Sequence, residues 1–302
     1  MILVTGAAGK TGLAVVEQLS TLGQPVRALV RTSASEQALL EVGAREAVSG
    51  DLRDAGRIRT AMEGVGSVYH IPPNMHPDEF EIGKVVIEAA RASGVDYLVY
   101  HSVLHPHVQA MPHHWQKMRV EELIFSSGLD FTILQPTAYM QNILGQWSKI
   151  ESHGFFEMPY PVETKLSLVD LQDVAEVAAA VLTREGHRGA IYELVGTRAL
   201  SQLEVAALLS DLLGNEVRAD TISIEDWETH AKDAGLKGYA IESLIKMFQY
   251  YTSYGFEGNP SVLRWLLGRE PTGLMAAFRR DLDVQRHADE AISGGVENKR
   301  GG

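Results

Sequence analysis

The chain has 302 residues, 45% of them hydrophobic and 22% charged, with a formal net charge of -12. That profile fits one large or two modest globular domains, and its acidity argues against a nucleic-acid grip, which needs a basic stripe, while leaving room for a local basic pocket around one phosphorylated ligand. The absence of cysteine excludes a disulfide framework, a thiolate zinc site and a cysteine nucleophile.

In chain order, Ile2–Thr5 reads as a strand and Gly12–Leu22 as a helix. Pro25–Val30 is the next strand, Ser35–Val42 a helix, and Glu46–Val48 a short strand. Asp54 is placed to cap a helix running to Glu63. Ser67–Ile71 is a strand, and Asp78–Ala92 a helix that ends before Gly94. Asp96–His101, the helix His113–Ser126 and the strand Phe131–Gln135 complete the first half. Strands alternating with helices in this way predict βαβ units and a parallel sheet. Past Pro136, Lys165–Val169 and Ile191–Val195 read as strands around the helix Leu171–Thr183. From Ser201, where Ser201-x-x-Glu204 has the form of a capping box, the chain reads as almost wholly helical. The fold expected is α/β: a Rossmann-type doubly wound parallel sheet with a smaller, mostly helical C-terminal substrate domain. The expected division is residues 1–150 for the dinucleotide, with 165–196 returning to that domain. Residues 197–285 form the lid, rich in aromatics between Trp227 and Trp265, and 286–302 a disordered polar tail. The start Met1-Ile2-Leu3-Val4-Thr5-Gly6 leaves no space for a secretory signal. The longest apolar run, Val174–Leu182, is interrupted by Glu176 and too short for a bilayer, so a cytoplasmic protein without membrane contact is expected.

The strongest motif is Thr5-Gly6-Ala7-Ala8-Gly9-Lys10-Thr11-Gly12, between the first strand and the first helix. Glycines at this spacing let the backbone turn sharply, approach a pyrophosphate and pack helix on strand, while the helix start offers N–H groups to phosphate. A P-loop is excluded because Val4 stands where that motif needs its first glycine. Gly6, Ala8, Gly9, Lys10, Thr11 and Gly12 are therefore candidate cofactor contacts. About 20 positions on, where NAD-binding chains carry an acid for the ribose hydroxyls, this chain has Arg31. A guanidinium pairs with a 2′-phosphate that an aspartate would repel, so NADP(H) is expected rather than NAD(H). Asp51 and Leu52, after the third strand, are placed for the adenine, with a turn or cap the alternative for Asp51. Ile71 and Pro72, after the fourth, are placed for the nicotinamide-side ribose.

With Gly50-Asp51-Leu52, His114-Trp115-Gln116-Lys117, Gly128-Leu129-Asp130-Phe131-Thr132-Ile133-Leu134-Gln135-Pro136, Tyr139-Met140-Gln141-Asn142 and Leu266-Leu267-Gly268-Arg269-Glu270-Pro271 added to the glycine loop, the chain resembles the atypical short-chain dehydrogenase/reductases, and within them the NmrA-like family. The resemblance covers nearly the whole chain. It implies NAD(P)H-dependent reduction of quinones, dyes or conjugated carbonyl compounds, or a cofactor-binding regulator without turnover.

Short-chain dehydrogenases act through Tyr-x-x-x-Lys on one helix face. None of the ten tyrosines here has a lysine four positions later. His113-x-x-x-Lys117 has the same spacing, which puts imidazole and ammonium on one face. Lys117 is expected to hold the nicotinamide ribose. His113, or its neighbour His114, is a candidate proton donor, unless the acceptor takes its proton from water. Ser102 matches the family's polar residue at the end of the fifth strand. The histidines between His101 and His114 have no carboxylate among them, so no metal is expected. Tyr139, Gln141 and Asn142 leave the carboxyl end of the sixth strand and are candidate substrate contacts. A small-molecule acceptor is the expected partner. The third class weighed, a sugar-nucleotide epimerase, needs the acid/base tyrosine that this chain lacks. A homodimer or a regulatory protein partner stays open.

Overall fold

The computed structural model describes residues 1–284; the expected disordered tail, 286–302, lies outside them. The first half runs β1 (Ile2–Thr5), α1 (Lys10–Thr21), β2 (Val26–Val30), α2 (Glu36–Glu41), β3 (Glu46–Ser49), α3 (Ala55–Ala61), β4 (Ser67–His70), α4 (Glu79–Ala92), β5 (Tyr97–His101), α5 (Pro112–Ser127) and β6 (Asp130–Pro136). Asp54 caps α3 as expected, accepting from the N–H groups of Gly56 and Arg57. The second half runs β7 (Ala138–Tyr139), α6 (Gln141–Leu144), α7 (Trp147–His153), β8 (Phe155–Met158), β9 (Lys165–Leu166), β10 (Leu168–Val169), α8 (Leu171–Thr183), β11 (Ala190–Leu194), β12 (Leu200–Ser201), α9 (Gln202–Leu213), β13 (Arg218–Thr221), α10 (Ile224–Asp233), α11 (Gly238–Tyr254) and α12 (Ser261–Leu267). Residues 274–284 are helical as well.

Seven strands form one parallel sheet in the order β11-β6-β5-β4-β1-β2-β3. Its central strands are buried along their whole length because helices cover both faces. Alternate residues serve opposite faces: Val4, Tyr69, Val99 and Leu134 pack toward α1 and α8. Leu3, Val68, Leu98 and Ile133 join the cluster built with α3, α4 and α5. The strand order reverses at β1, between β4 and β2, and a doubly wound sheet opens a ligand crevice at that point.

Two expectations change. The single strand over Lys165–Val169 is split at Ser167, because β9 pairs with β12 whereas β10 pairs with β7. Ser167 is held between them, its carbonyl accepting from Thr137 and its Oγ from the Gly258 N–H. The second half is also less uniformly helical than its pattern reads, since β13 pairs in parallel with β8. The capping box at Ser201 is present, with reciprocal bonds to Glu204. No helix among the described residues is long and apolar enough to cross a membrane.

Two acidic residues at the start of α8 tie the end of the described chain to the sheet. Asp173, 1% exposed in its side chain, receives Arg269 and Thr272. Asp170, fully buried, receives both terminal nitrogens of Arg280 and the amide of Gln141. Asp170→Ala removes the acceptor that all three groups share and is expected to cost about 3 kcal/mol. Asp281→Ala, at the half-exposed end of the same cluster, is expected to cost about 1 kcal/mol or less. Urea unfolding of both variants measures the difference, and equal losses would contradict the role given to Asp170.

Candidate functional site

The carboxyl ends of β1, β2, β4, β5 and β6 open on one cavity of about 1010 Å³. Every cofactor candidate from the sequence lines it: Gly6, Ala8, Gly9, Lys10, Thr11, Gly12, Arg31, Asp51, Leu52, Ile71, Pro72 and Lys117. Ser102, His113, His114, Tyr139 and Asn142 line it too, whereas Gln141 does not.

The glycine loop has no room for side chains. Gly6 has φ +63°, and a Cβ there would lie 2.9 Å from the Ile71 carbonyl oxygen. A Cβ on Gly12 would lie 2.3 Å from the Gly6 carbonyl oxygen and 2.6 Å from Ala7 Cα. Gly9, the N-cap of α1, contributes no side-chain bond to the first turn. This is a cradle that a Cβ would fill, at the positive end of a twelve-residue helix, and it suits a pyrophosphate.

Arg31 stands exposed at the end of β2, with Thr32 and Ser35 beside it on the cavity wall. A second guanidinium, Arg53, lines the same end, outside the motifs that mark the other cofactor contacts. Its signal is proximity to Asp51, two positions earlier. The Asp51 carboxylate accepts from the Arg53 N–H at 2.9 Å and from its guanidinium at 2.7 Å. The side-chain bond to Arg53 is the largest cause holding Asp51 down to about 2. The expected adenine acceptor is thus already committed to an arginine, and what faces the ligand is the Asp51–Arg53 pair.

Lys117 and His113 share a face of α5, as their spacing requires. Lys117 Nζ donates to Glu79 Oε1 at 2.8 Å; Glu79, at the start of α4, is 1% exposed and its Oε2 has no partner among the described residues. Nothing in the local sequence marks Glu79 as buried, since a first-turn glutamate on a helix is ordinarily solvated. His113 is 6% exposed and its Nδ1 has no partner among the described residues. Burial, with Lys117 adding to it, lowers its pKa to about 4, so His113 is a neutral imidazole at pH 7. That corrects its expected part: His113 can offer a neutral ring nitrogen, not an imidazolium proton. His114 is buried against the His105 carbonyl and Phe256, and burial likewise keeps it neutral.

Ser102 is also corrected. Its hydroxyl donates to buried Glu121, which takes two further bonds from the Gln135 amide at 3.0 and 3.1 Å. Burial raises the Glu121 pKa, opposed by these bonds. The serine therefore braces β5 against α5 rather than standing free for a substrate. Gln141 is corrected in the same way. Its amide nitrogen donates to Asp170 and Asp281 and its oxygen accepts from the Leu171 N–H, so both ends are used in joining α6 to α8. Tyr139 does reach the cavity, with its hydroxyl between Thr11 of the glycine loop and His101 Nε2 at 3.0 Å. His101 Nδ1 pairs in turn with Tyr69 at 2.7 Å. Among the described residues no group of three or more acidic or histidine side chains is placed to hold a metal ion.

The far end of the cavity is apolar. Leu244, Met247, Phe248 and Tyr251 from α11 line it together with Phe256, and Trp227 packs on Phe248 from behind. Two of the aromatics noted in the sequence stand elsewhere: Tyr254 is 73% exposed and Trp265 67%.

The model of the NmrA-like family matches residues 1–282. The chain is 36% identical over 253 residues to the NAD(P)H azoreductase of Xenophilus azovorans, covering 82% of this chain and 86% of that one. It is 28% identical over 278 residues to quinone oxidoreductase 2 of Escherichia coli, covering 91% and 96%. The crystal structure of the NADPH-dependent quinone oxidoreductase of Escherichia coli complexed with NADPH superposes with a TM-score of 0.82 at 27% identity, covering 93% of this chain and all of that one.

Burial pushes His70 and His101 down to about 3, His113 to about 4 and His114 well below its ordinary value of 6.5. Above pH 6.5 these histidines are neutral both folded and unfolded and leave stability unchanged. Below it only the unfolded chain takes up their protons, so stability is lost as the pH falls toward 4. The expected slope is about 1.4 kcal/mol per pH unit for each histidine. Urea unfolding at pH 7.5, 6 and 5 reads it, and a stability that stays flat to pH 5 would contradict the buried neutral state.

Proposed function

We propose that this chain, which belongs to the NmrA-like family, is an NADPH-dependent oxidoreductase that reduces a small, flat acceptor of the quinone or conjugated-carbonyl kind. The observation that carries it is the continuity of one cavity from the glycine cradle and two guanidiniums to an aromatic, uncharged end. The names of the relatives, an azoreductase and a quinone oxidoreductase, support reduction by a nicotinamide cofactor.

NADPH, when bound, supplies the two electrons and one of the hydrogens that the acceptor gains. In this proposal the protein's work is to bind and orient. The start of α1 and the N–H groups of the glycine loop receive the pyrophosphate. Arg31 pairs with the 2′-phosphate, with Lys10 and Arg53 adding positive charge at that end. Lys117, steadied by Glu79, holds the ribose hydroxyls. The hydroxyl of Tyr139 is fixed by Thr11 and His101 at the joint between cofactor and acceptor. With His113 neutral, the second proton of the reduced acceptor comes from water entering by the cavity mouth. Residues 1–150 together with 165–196 carry the cofactor, and residues 197–284 close over the acceptor.

Oxidation of NADPH followed optically against quinones, enones and azo dyes tests this function. Turnover on at least one acceptor is expected. Tight NADPH binding without turnover on any would favour a cofactor-sensing regulator. Arg31→Asp is expected to weaken NADPH binding about 10- to 100-fold, by loss of a charge-assisted pair, and to leave NADH within about threefold. Equal losses for both nucleotides would remove the assignment of Arg31.

A further inference from the structure

The apolar end of the cavity holds three polar groups without a hydrogen-bond partner among the described residues. Tyr160, 6% exposed, precedes β9, and Tyr251, 5% exposed, sits on α11; their rings meet edge to face with centroids 6.0 Å apart. Neither hydroxyl makes a hydrogen bond within the described residues, yet both residues line the cavity. Gln202, 4% exposed, starts α9 and lines the same space with its carboxamide equally unpartnered. Each residue is more than nine-tenths buried while its unpartnered polar group opens on the cavity, so a ligand seated there can take the place of water on all three. The rest of that end is Met, Leu and Phe, and among the described residues no charged side chain lines it.

Resting on the reductase reading above, we propose that Tyr160, Tyr251 and Gln202 form a recognition site for a carbonyl oxygen of an uncharged, conjugated acceptor. The two phenols and the amide N–H groups donate to the oxygen's lone pairs. Burial raises both phenol pKa values, and for Tyr251 the neighbouring Tyr160 adds to the rise, so the hydroxyls stay protonated and each keeps a proton to donate. Phe256 stacks on Tyr251 with ring centroids 5.0 Å apart, which leaves the Tyr251 ring little freedom to turn its hydroxyl away. The same apolar surroundings reject an anionic acceptor, because a sulfonate or carboxylate would lose its hydration with no cation at that end to replace it. The site therefore selects neutral quinones over sulfonated or carboxylated analogues of the same ring system.

The test uses the full chain saturated with NADP+ and titrates menadione and its sulfonated analogue by calorimetry, alongside steady-state turnover with NADPH. Wild type is expected to bind menadione at least tenfold more tightly than the sulfonate. Tyr160→Phe and Tyr251→Phe are each expected to weaken menadione binding about three- to tenfold, the range for one hydrogen bond, with the double variant and Gln202→Leu weakening it further. The NADPH dissociation constant, read from nucleotide fluorescence, is expected to stay unchanged in all of them. Menadione binding unaffected by the double variant, no menadione binding to wild type, or a preference for the sulfonate would each overturn the proposal. Menadione bound as expected but never reduced would instead overturn the reductase reading and leave the recognition site standing, so the two fail separately.

Discussion

The structure depends on how closely the first helix comes to the first strand. With the Gly12 Cα placed so that any Cβ would fall 2.3 Å from the Gly6 carbonyl oxygen, the start of α1 sits almost on the end of β1. That contact aims the helix N-terminus at the switch point of the sheet, where β1 lies between β4 and β2. No side chain intrudes, so the space in front of the helix stays open to a phosphate and the cavity begins there. Tyr139 is built from this contact as well: its hydroxyl bonds to Thr11, one position before Gly12, and so the loop after β6 is indexed to the glycine loop.

Around that opening the protein handles polar groups in two ways. Some are paired and closed off, as Ser102 and Gln135 are on Glu121, and Arg280 and Gln141 on Asp170. These bonds hold α5 against β5 and α6 against α8, and they give the cavity rigid walls. Others have no hydrogen-bond partner among the described residues: His113 Nδ1 and the second oxygen of Glu79 are buried, and the hydroxyls of Tyr160 and Tyr251 open on the cavity. The closed groups keep the shape, and the two hydroxyls face the space that a ligand takes. Charge is graded along the cavity too. Lys10, Arg31 and Arg53 crowd the end near the glycine loop, Lys117 stands in the middle, and the end formed by α11 and Phe256 has none. A single ligand pair with phosphates at one extreme and a neutral ring at the other matches that gradient.

Much of the sheet and of the cradle was legible in the sequence because both depend on local rules. Parallel strands buried on two faces read as short apolar runs, and Ile2–Thr5, Tyr97–His101 and the strand before Pro136 follow that rule. Glycine spacing between a strand and a helix, and an arginine in place of an acid at the end of β2, likewise report their surroundings directly. The split at Ser167 and the pairing of β13 with β8 were not legible, since two- to four-residue strands are fixed by distant partners rather than by their own pattern. Ser102 and Gln141 were placed correctly along the chain, yet their side chains turn to Glu121 and Asp170, and the carboxylates that claim them lie 19 and 29 residues away.

The sequence by itself determined the class of fold, the place of the phosphate cradle and the sign of the charge beside it, because each rests on backbone sterics or on residues close together in the chain. Only the tertiary structure decided which polar groups are spent and which remain open. It left His101, His113 and His114 on the cavity wall, and His70 buried beside Thr5, neutral, since burial sets their charge. It brought Tyr160, Gln202 and Tyr251 to one cavity although no spacing links them, because the loop before β9, the start of α9 and α11 meet that space only in the folded chain.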